Sequence, residues 1–140
     1  MTLPERPSHR VAPGWGDVVG IGLGAFGLYF VAISGLMIIA PGTFFTEIGP
    51  FGVRNDHYTI DAATFGLALG VGSLVGVNRR AWRVPVLAMI TLQFATHALN
   101  HLVDISEANP EWVGVADFVG LFIGTLVLAW LLRQAVRESR

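Results

Sequence analysis

Residues 18–40 read VVGIGLGAFGLYFVAISGLMIIA, 23 positions without one charged side chain. A helix rises about 1.5 Å per residue and needs roughly 20 apolar residues to cross a hydrocarbon core of about 30 Å. The stretch therefore predicts a membrane span. A cleaved signal peptide has a shorter apolar core nearer its start, so this is read as a retained first span. The composition agrees: the 140 residues are 53% hydrophobic and 14% charged, with a mean hydropathy of +0.59, too apolar for a soluble chain with room for one domain.

Working outward, three further stretches have the same character. Residues 59–77 are interrupted only by Asp61, Thr64 and Ser73 and end at Asn78, Arg79 and Arg80. Residues 84–103 carry Pro85 in the expected first turn, where a missing N–H is tolerated. Residues 113–132 are closed by Arg133, Arg137 and Arg140. Pro41-Gly42 ends the first span, and residues 43–58 mix aromatics with Glu47, Arg54, Asp56 and His57, which suits an amphipathic loop at the interface. The turn 78–83 is too short for anything but a hairpin, and 106–112 form the remaining loop. The predicted fold is an all-α membrane protein, a four-transmembrane-helix antiparallel bundle over 18–132. A Pro-rich mobile arm, 1–17, precedes it, and a short basic tail, 133–140, follows.

Retained positive charge marks the cytoplasmic side. Arg6, Arg10, Arg79, Arg80, Arg83, Arg133, Arg137 and Arg140 fall on one side of an even number of spans, and the other side has only Arg54. Both termini are thus predicted to be cytoplasmic, in a multi-pass protein of the cell membrane whose main partner is the lipid bilayer. Trp15, Trp82, Trp112 and Trp130 lie near the predicted span ends, as an aromatic belt requires. Without cysteine there are no disulfides or thiolate ligands, and without lysine no Schiff base forms. A net charge of −1 argues against nucleic acid.

Glycines recur at fourth positions: Gly16, Gly20 and Gly24, then Gly66/Gly70 and Gly72/Gly76, then Gly120/Gly124. This spacing lets helix backbones approach closely in lipid. Packing inside the bundle is the first reading; an outward stripe serving a homo-oligomer or a membrane-complex partner is the second. The run Gly20–Gly24 has no strand before it, which removes a dinucleotide site.

The functional signal is concentrated in residues 91–104, TLQFATHALNHLVD. At about 100° per residue, Gln93, Asn100, His101 and Asp104 all fall within about 60° of His97. His57, Asp61 and Thr64 align in the same way on the second span and are expected at the same outer level, with Asp117 a turn into the fourth. The opposite half of the bundle shows no matching cluster. Intramembrane ionisable groups face the bundle interior and mark sites or proton paths, so His57, Asp61, Gln93, His97, Asn100, His101 and Asp104 are the candidate ligand-binding residues.

Two imidazoles at i, i+4 with carboxylates nearby suit zinc, iron or manganese, with His97, His101, Asp104 and Asp61 as the metal set. Haem fits less well, because only His57 could oppose His97 or His101 from another helix. The pocket is read as binding a small ligand or metal ion. The alternative is a membrane-embedded enzyme acting on a lipid-like substrate or quinone, with His97 and His101 as acid and base, Asp104 orienting one imidazole and Asp61 completing the site. Taken singly, each residue also has a structural explanation: Asp117 suits the start of a helix, and Gln93 and Asn100 could simply fasten helices together.

The four short spans, the Pro41-Gly42 break, the Phe44-Phe45 pair that follows it and the polar outer end together resemble the small four-helix membrane proteins of the DoxX-like kind, over residues 18–132. The resemblance is architectural. It implies an accessory, non-catalytic subunit and carries over no functional residue.

Overall fold

The structure is a computed structural model and describes residues 16–139. The arm expected over 1–17 lies outside the described residues except for Gly16 and Asp17, as do Trp15, Arg6, Arg10 and Arg140. Among the described residues the fold is all-helical: α1 (Val18–Ile39), α2 (Pro41–Glu47), α3 (Asp56–Asn78), α4 (Arg80–Val103) and α5 (Glu111–Glu138). Four of these helices, α1, α3, α4 and α5, are long and apolar enough to cross a membrane. Ile21, Leu92, Phe122 and Leu126 are among the large apolar side chains on their outer surfaces. Only 11% of the most apolar window of α5 is buried inside the protein, so most of its hydropathy faces outward, as a lipid environment requires.

Several boundaries differ from the sequence reading. Pro41 does not end helical structure; it occupies the first position of α2, where its fixed φ is already helical. The interfacial loop therefore shrinks, and Asp56, His57 and Tyr58 belong to α3, whose start is capped by Asn55 accepting from the Tyr58 N–H at 3.3 Å. The hairpin between α3 and α4 narrows to Arg79, which puts Pro85 in the second turn of α4. The supposed basic tail is helical as far as Glu138; α5, with 28 residues, reaches about 42 Å and projects beyond the hydrocarbon layer.

α1 packs along α3 and α4 along α5; α3 and α4 join the two pairs, and α1 meets α5 only sparsely. Glycine sets the first of these contacts. A Cβ on Gly70 would lie 3.0 Å from both the backbone nitrogen of Val31 and Cβ of Phe30, so α1 and α3 run closer together than any side chain there allows. Gly16 and Gly120, from the same sequence pattern, have nothing within 4 Å of such a Cβ. The core comprises Val19, Leu23, Val77, Leu87, Ile90, Leu128 and Leu131.

One end of the four spans is tied by a cluster that the sequence reading missed. Arg83 is 2% exposed, the one buried charged residue among those described. Its Nη1 and Nη2 donate to the two oxygens of Asp17 at 2.9 and 3.1 Å. Nη1 also donates to Glu138 at 3.2 Å, and Nε and Nη2 donate to the carbonyls of Gly76 and Val77 at 3.2 and 3.1 Å. All five guanidinium hydrogens are used. Asp17 in turn accepts from the Gly20 N–H at 2.7 Å and caps α1. The beginnings of α1 and α4 and the ends of α3 and α5 thus meet at one side chain, and the half of the bundle expected to lack a polar cluster has one.

The opposite end is covered by loops. Phe51 pairs with Ala108 in an isolated antiparallel bridge, and the Asn109 N–H donates to the Pro50 carbonyl at 3.1 Å. The segment after α2 is thereby joined to the segment before α5.

Candidate functional site

Beneath these loops lies a partly open cavity of about 620 Å³. Phe94 forms its inner floor, with its ring edge-on to Phe26 and Phe30 at centroid separations of 5.4 and 5.8 Å. Phe51 covers the outer end, its ring perpendicular to His101 at 4.6 Å. One wall is the polar stripe of α4: Gln93, His97, Asn100, His101 and Asp104 all line the cavity.

The stripe is internally connected. His97 Nε2 and His101 Nε2 are 3.1 Å apart, and Gln93 Nε2 approaches His97 Nδ1 at 3.4 Å, a long contact. One proton assignment is self-consistent. Gln93 donates to Nδ1 of His97, whose own proton is then on Nε2 and is donated to Nε2 of His101; that leaves the His101 proton on Nδ1. His101 Nδ1 is buried without a protein partner, as is Gln93 Oε1. Two residues of one helix that line the cavity thus hold an unpaired donor and an unpaired acceptor.

Two contributions from α1 were not anticipated. Ser34 is 1% exposed, lines the cavity, and has no partner for its hydroxyl among the described residues; it lies opposite Gly66, where an added Cβ would come within 2.6 Å of Oγ. Tyr29 lines the cavity as well, as does Asp117 from α5, to which the sequence reading gave a helix-end role. The signal available in sequence was the small-residue face of α1: Ser34 lies seven residues beyond Gly27, on the same side of the helix.

His57 and Asp61 do not join the site. They pair with each other, Nε2 to Oδ2 at 3.4 Å, with their side chains 79% and 62% exposed. Neither lines the cavity. The reason is the rotation of α3: Asp61 precedes Gly70 by nine residues, about 180° around the helix, and Gly70 faces α1. The metal set of His97, His101, Asp104 and Asp61 is consequently not assembled, and among the described residues no three His, Cys, Asp or Glu side chains gather where they could hold an ion. The zinc, iron or manganese site and the His57-based haem alternative lose their second-helix ligand. Asp104 also departs from its expected role: it is the C-cap of α4 and forms no ion pair with either imidazole.

Beyond the cavity, the Arg54 guanidinium and Asp56 form an exposed two-point pair, with distances of 2.6 and 2.7 Å. The hydrogen bond from Arg54 to this carboxylate and the nearby charge raise the Arg54 pKa. The pair neutralises the one arginine on the loop side among the described residues, where it fastens the approach to α3.

Comparison with protein-family models, curated proteins and solved structures finds no match for this chain.

Proposed function

We propose that this chain is an antiparallel four-helix bundle of the cell membrane with both termini cytoplasmic, and that its extracytoplasmic cavity binds a small hydrogen-bonding ligand. The orientation rests on arginine placement: Arg79, Arg80, Arg83, Arg133 and Arg137 lie at the end where Arg83 binds Asp17, away from the cavity. The binding reading rests chiefly on one observation: Ser34 Oγ, Gln93 Oε1 and His101 Nδ1 are all buried, all unpartnered among the described residues, and all belong to residues that line one cavity. A buried polar group without a partner costs about 1–3 kcal/mol, and native proteins retain few of them. Three around one cavity, two from α4 and one from α1, match a guest that both donates and accepts, such as a hydroxyl or amide headgroup. In the accessory role that the DoxX-like resemblance implies, occupancy of this cavity would be what the subunit senses.

Thermal unfolding in nanodiscs, with a short-chain monoacylglycerol as probe, tests this. At about 100 times Kd a single-site ligand stabilises the fold by about 2.7 kcal/mol. Gln93→Leu and His101→Phe should keep or raise the melting temperature without probe and lose the probe-induced rise. If both variants instead melt lower and the wild type shows no rise, the stripe only fastens helices.

A second reading has its own support. The 3.1 Å contact between His97 and His101 is a short path for one proton, which is the arrangement that acid–base chemistry on a lipid-like substrate or quinone would use. Substrate turnover abolished by His97→Gln, with unchanged probe binding, would favour it.

A further inference from the structure

The cavity has a side opening. Tyr29, Phe94, Asp117 and Leu121 line both the polar cavity and a second void of about 470 Å³ in the cleft between α1 and α5. This cleft is the looser of the two seams that join the helix pairs, the other being α3 against α4. Its remaining walls are small or apolar, with Ala25, Ala116 and Gly120 at the rim and Ile123 below. A Cβ on Gly120 would meet nothing within 4 Å, so the missing side chain there leaves space rather than admitting a neighbouring helix.

The polar groups in the seam are placed at its inner edge. Asp117 lies six residues into α5, about 9 Å along the axis, and makes no ion pair among the described residues. A carboxyl at such depth is unfavourable against hydrocarbon and normally faces a cavity or a path. Tyr29, 52% exposed, stands across the shared wall from it. From the water side, by contrast, Phe51 covers His101, and its segment is held by the Ala108 bridge and the Asn109–Pro50 hydrogen bond. The outer loops are fastened, while the seam is not.

We infer that the ligand is a bilayer-resident amphiphile that reaches the cavity sideways through the α1–α5 seam. Its headgroup passes Tyr29 and Asp117 to Gln93, His101 and Ser34, and its chain stays in the seam above Gly120. This rests on the cavity being a binding site and adds the class of ligand and its route.

The test uses the full chain in nanodiscs with a monoacylglycerol whose chain carries a photoactivatable diazirine, with adducts mapped by mass spectrometry. Wild-type labelling should concentrate in residues 25–29 and 116–124. Gly120→Trp should lower it about tenfold, the order expected when several methylenes lose an apolar site. Gly35→Trp, equally open at its Cβ but away from the seam, should not. Gly120→Leu repeats the test with a smaller wedge if the tryptophan variant melts early.

If Gln93→Leu and His101→Phe remove labelling while both Gly120 variants retain it, the cavity binds but the lateral route is wrong. If every variant labels alike over the whole outer surface, the probe is annular lipid only, and both readings fall. If labelling is lost at high protein density while a cross-linked dimer shields the seam, a second copy occupies it and the lateral route is again wrong.

Discussion

The two polar clusters of this protein lie about 27 Å apart along α4, one around Arg83 and one around His101, and they are built in opposite ways. Around Arg83 every donor is used: five hydrogens meet two carboxylates and two helix-end carbonyls. Around His101 the inventory is left open, with a ring nitrogen, an amide oxygen and a serine hydroxyl unpartnered. A saturated cluster has nothing left to offer a ligand and serves to hold helices together. An unsaturated one weakens the fold and is retained where something else completes it. Polarity inside a membrane bundle therefore does not itself indicate function; the count of unused donors and acceptors separates fastening from binding.

The largest effect should come from opening the saturated cluster. Arg83→Met keeps much of the aliphatic stem but leaves Asp17 and Glu138 facing each other and the α3 carbonyls uncapped. Removing one member of a buried charged pair destabilises by about 3–5 kcal/mol. The carboxylates here are 24% and 33% exposed, which places the expected loss near the lower end, about 3 kcal/mol. Denaturant unfolding in mild detergent measures it. A loss below about 1 kcal/mol, within the range of exposed ion pairs, would mean that the cluster is not a lock. Probe binding at the far cavity should be unchanged wherever the variant is folded.

The contrast can be sharpened with a pair of buried serines. Ser73 is fully buried and donates to the Leu69 carbonyl at 2.6 Å; Ser34 is equally buried and bonds to nothing in the protein. Both sit inside helices, so the gain in helix propensity on replacement by alanine is common to the two. Ser34→Ala relieves an unsatisfied hydroxyl, whereas Ser73→Ala discards a made bond. The first variant should therefore be more stable than the second by about 1–2 kcal/mol. Equal melting temperatures would remove the distinction between used and unused polar groups on which the cavity reading depends. With the monoacylglycerol probe present, the order should narrow, since Ser34 then has a partner to lose.

How much of this was readable beforehand differs between the two ends. The four spans were legible because hydropathy over 18 or more residues overrides local detail. The α4 stripe was legible because α4 has a polar face, and Gln93, His97, Asn100, His101 and Asp104 do line one cavity. The rotation of α3 was not read. That helix is apolar on nearly every side, so alignment of His57, Asp61 and Thr64 with one another says nothing about which way they point. Gly66 and Gly70 carried the missing information: the face with the small residues is the face against α1, and Asp61 lies opposite it. The Arg83 cluster was obscured for a different reason. Its carboxylates are 66 and 55 residues away in sequence and sit in what read as an arm and a tail, so Arg83 was counted only as a topological charge.

The smallest expected effect is a pH dependence confined to the saturated end. Burial alone would raise the Asp17 pKa, but the hydrogen bonds from Arg83 and the Gly20 N–H, with the charges of Arg83 and Arg80, outweigh it and hold the carboxyl below its ordinary 3.8. The sign follows from the depressed value. The unfolded chain binds this proton more readily than the folded one, so the contribution to stability is complete above the ordinary carboxylate range and declines as pH falls through the folded pKa. Asp17→Asn cannot bind that proton. The melting-temperature gap between wild type and Asp17→Asn should thus be widest at about pH 6 and shrink toward about pH 3. The gap between wild type and Ser34→Ala, which involves no titrating group at the altered position, should hold steady over the same interval. A wild-type to Asp17→Asn gap that stays constant on acidification would show that the charge on Asp17 does not contribute to the lock, leaving the Arg83 bonds to the α3 carbonyls and Glu138 to hold that end together.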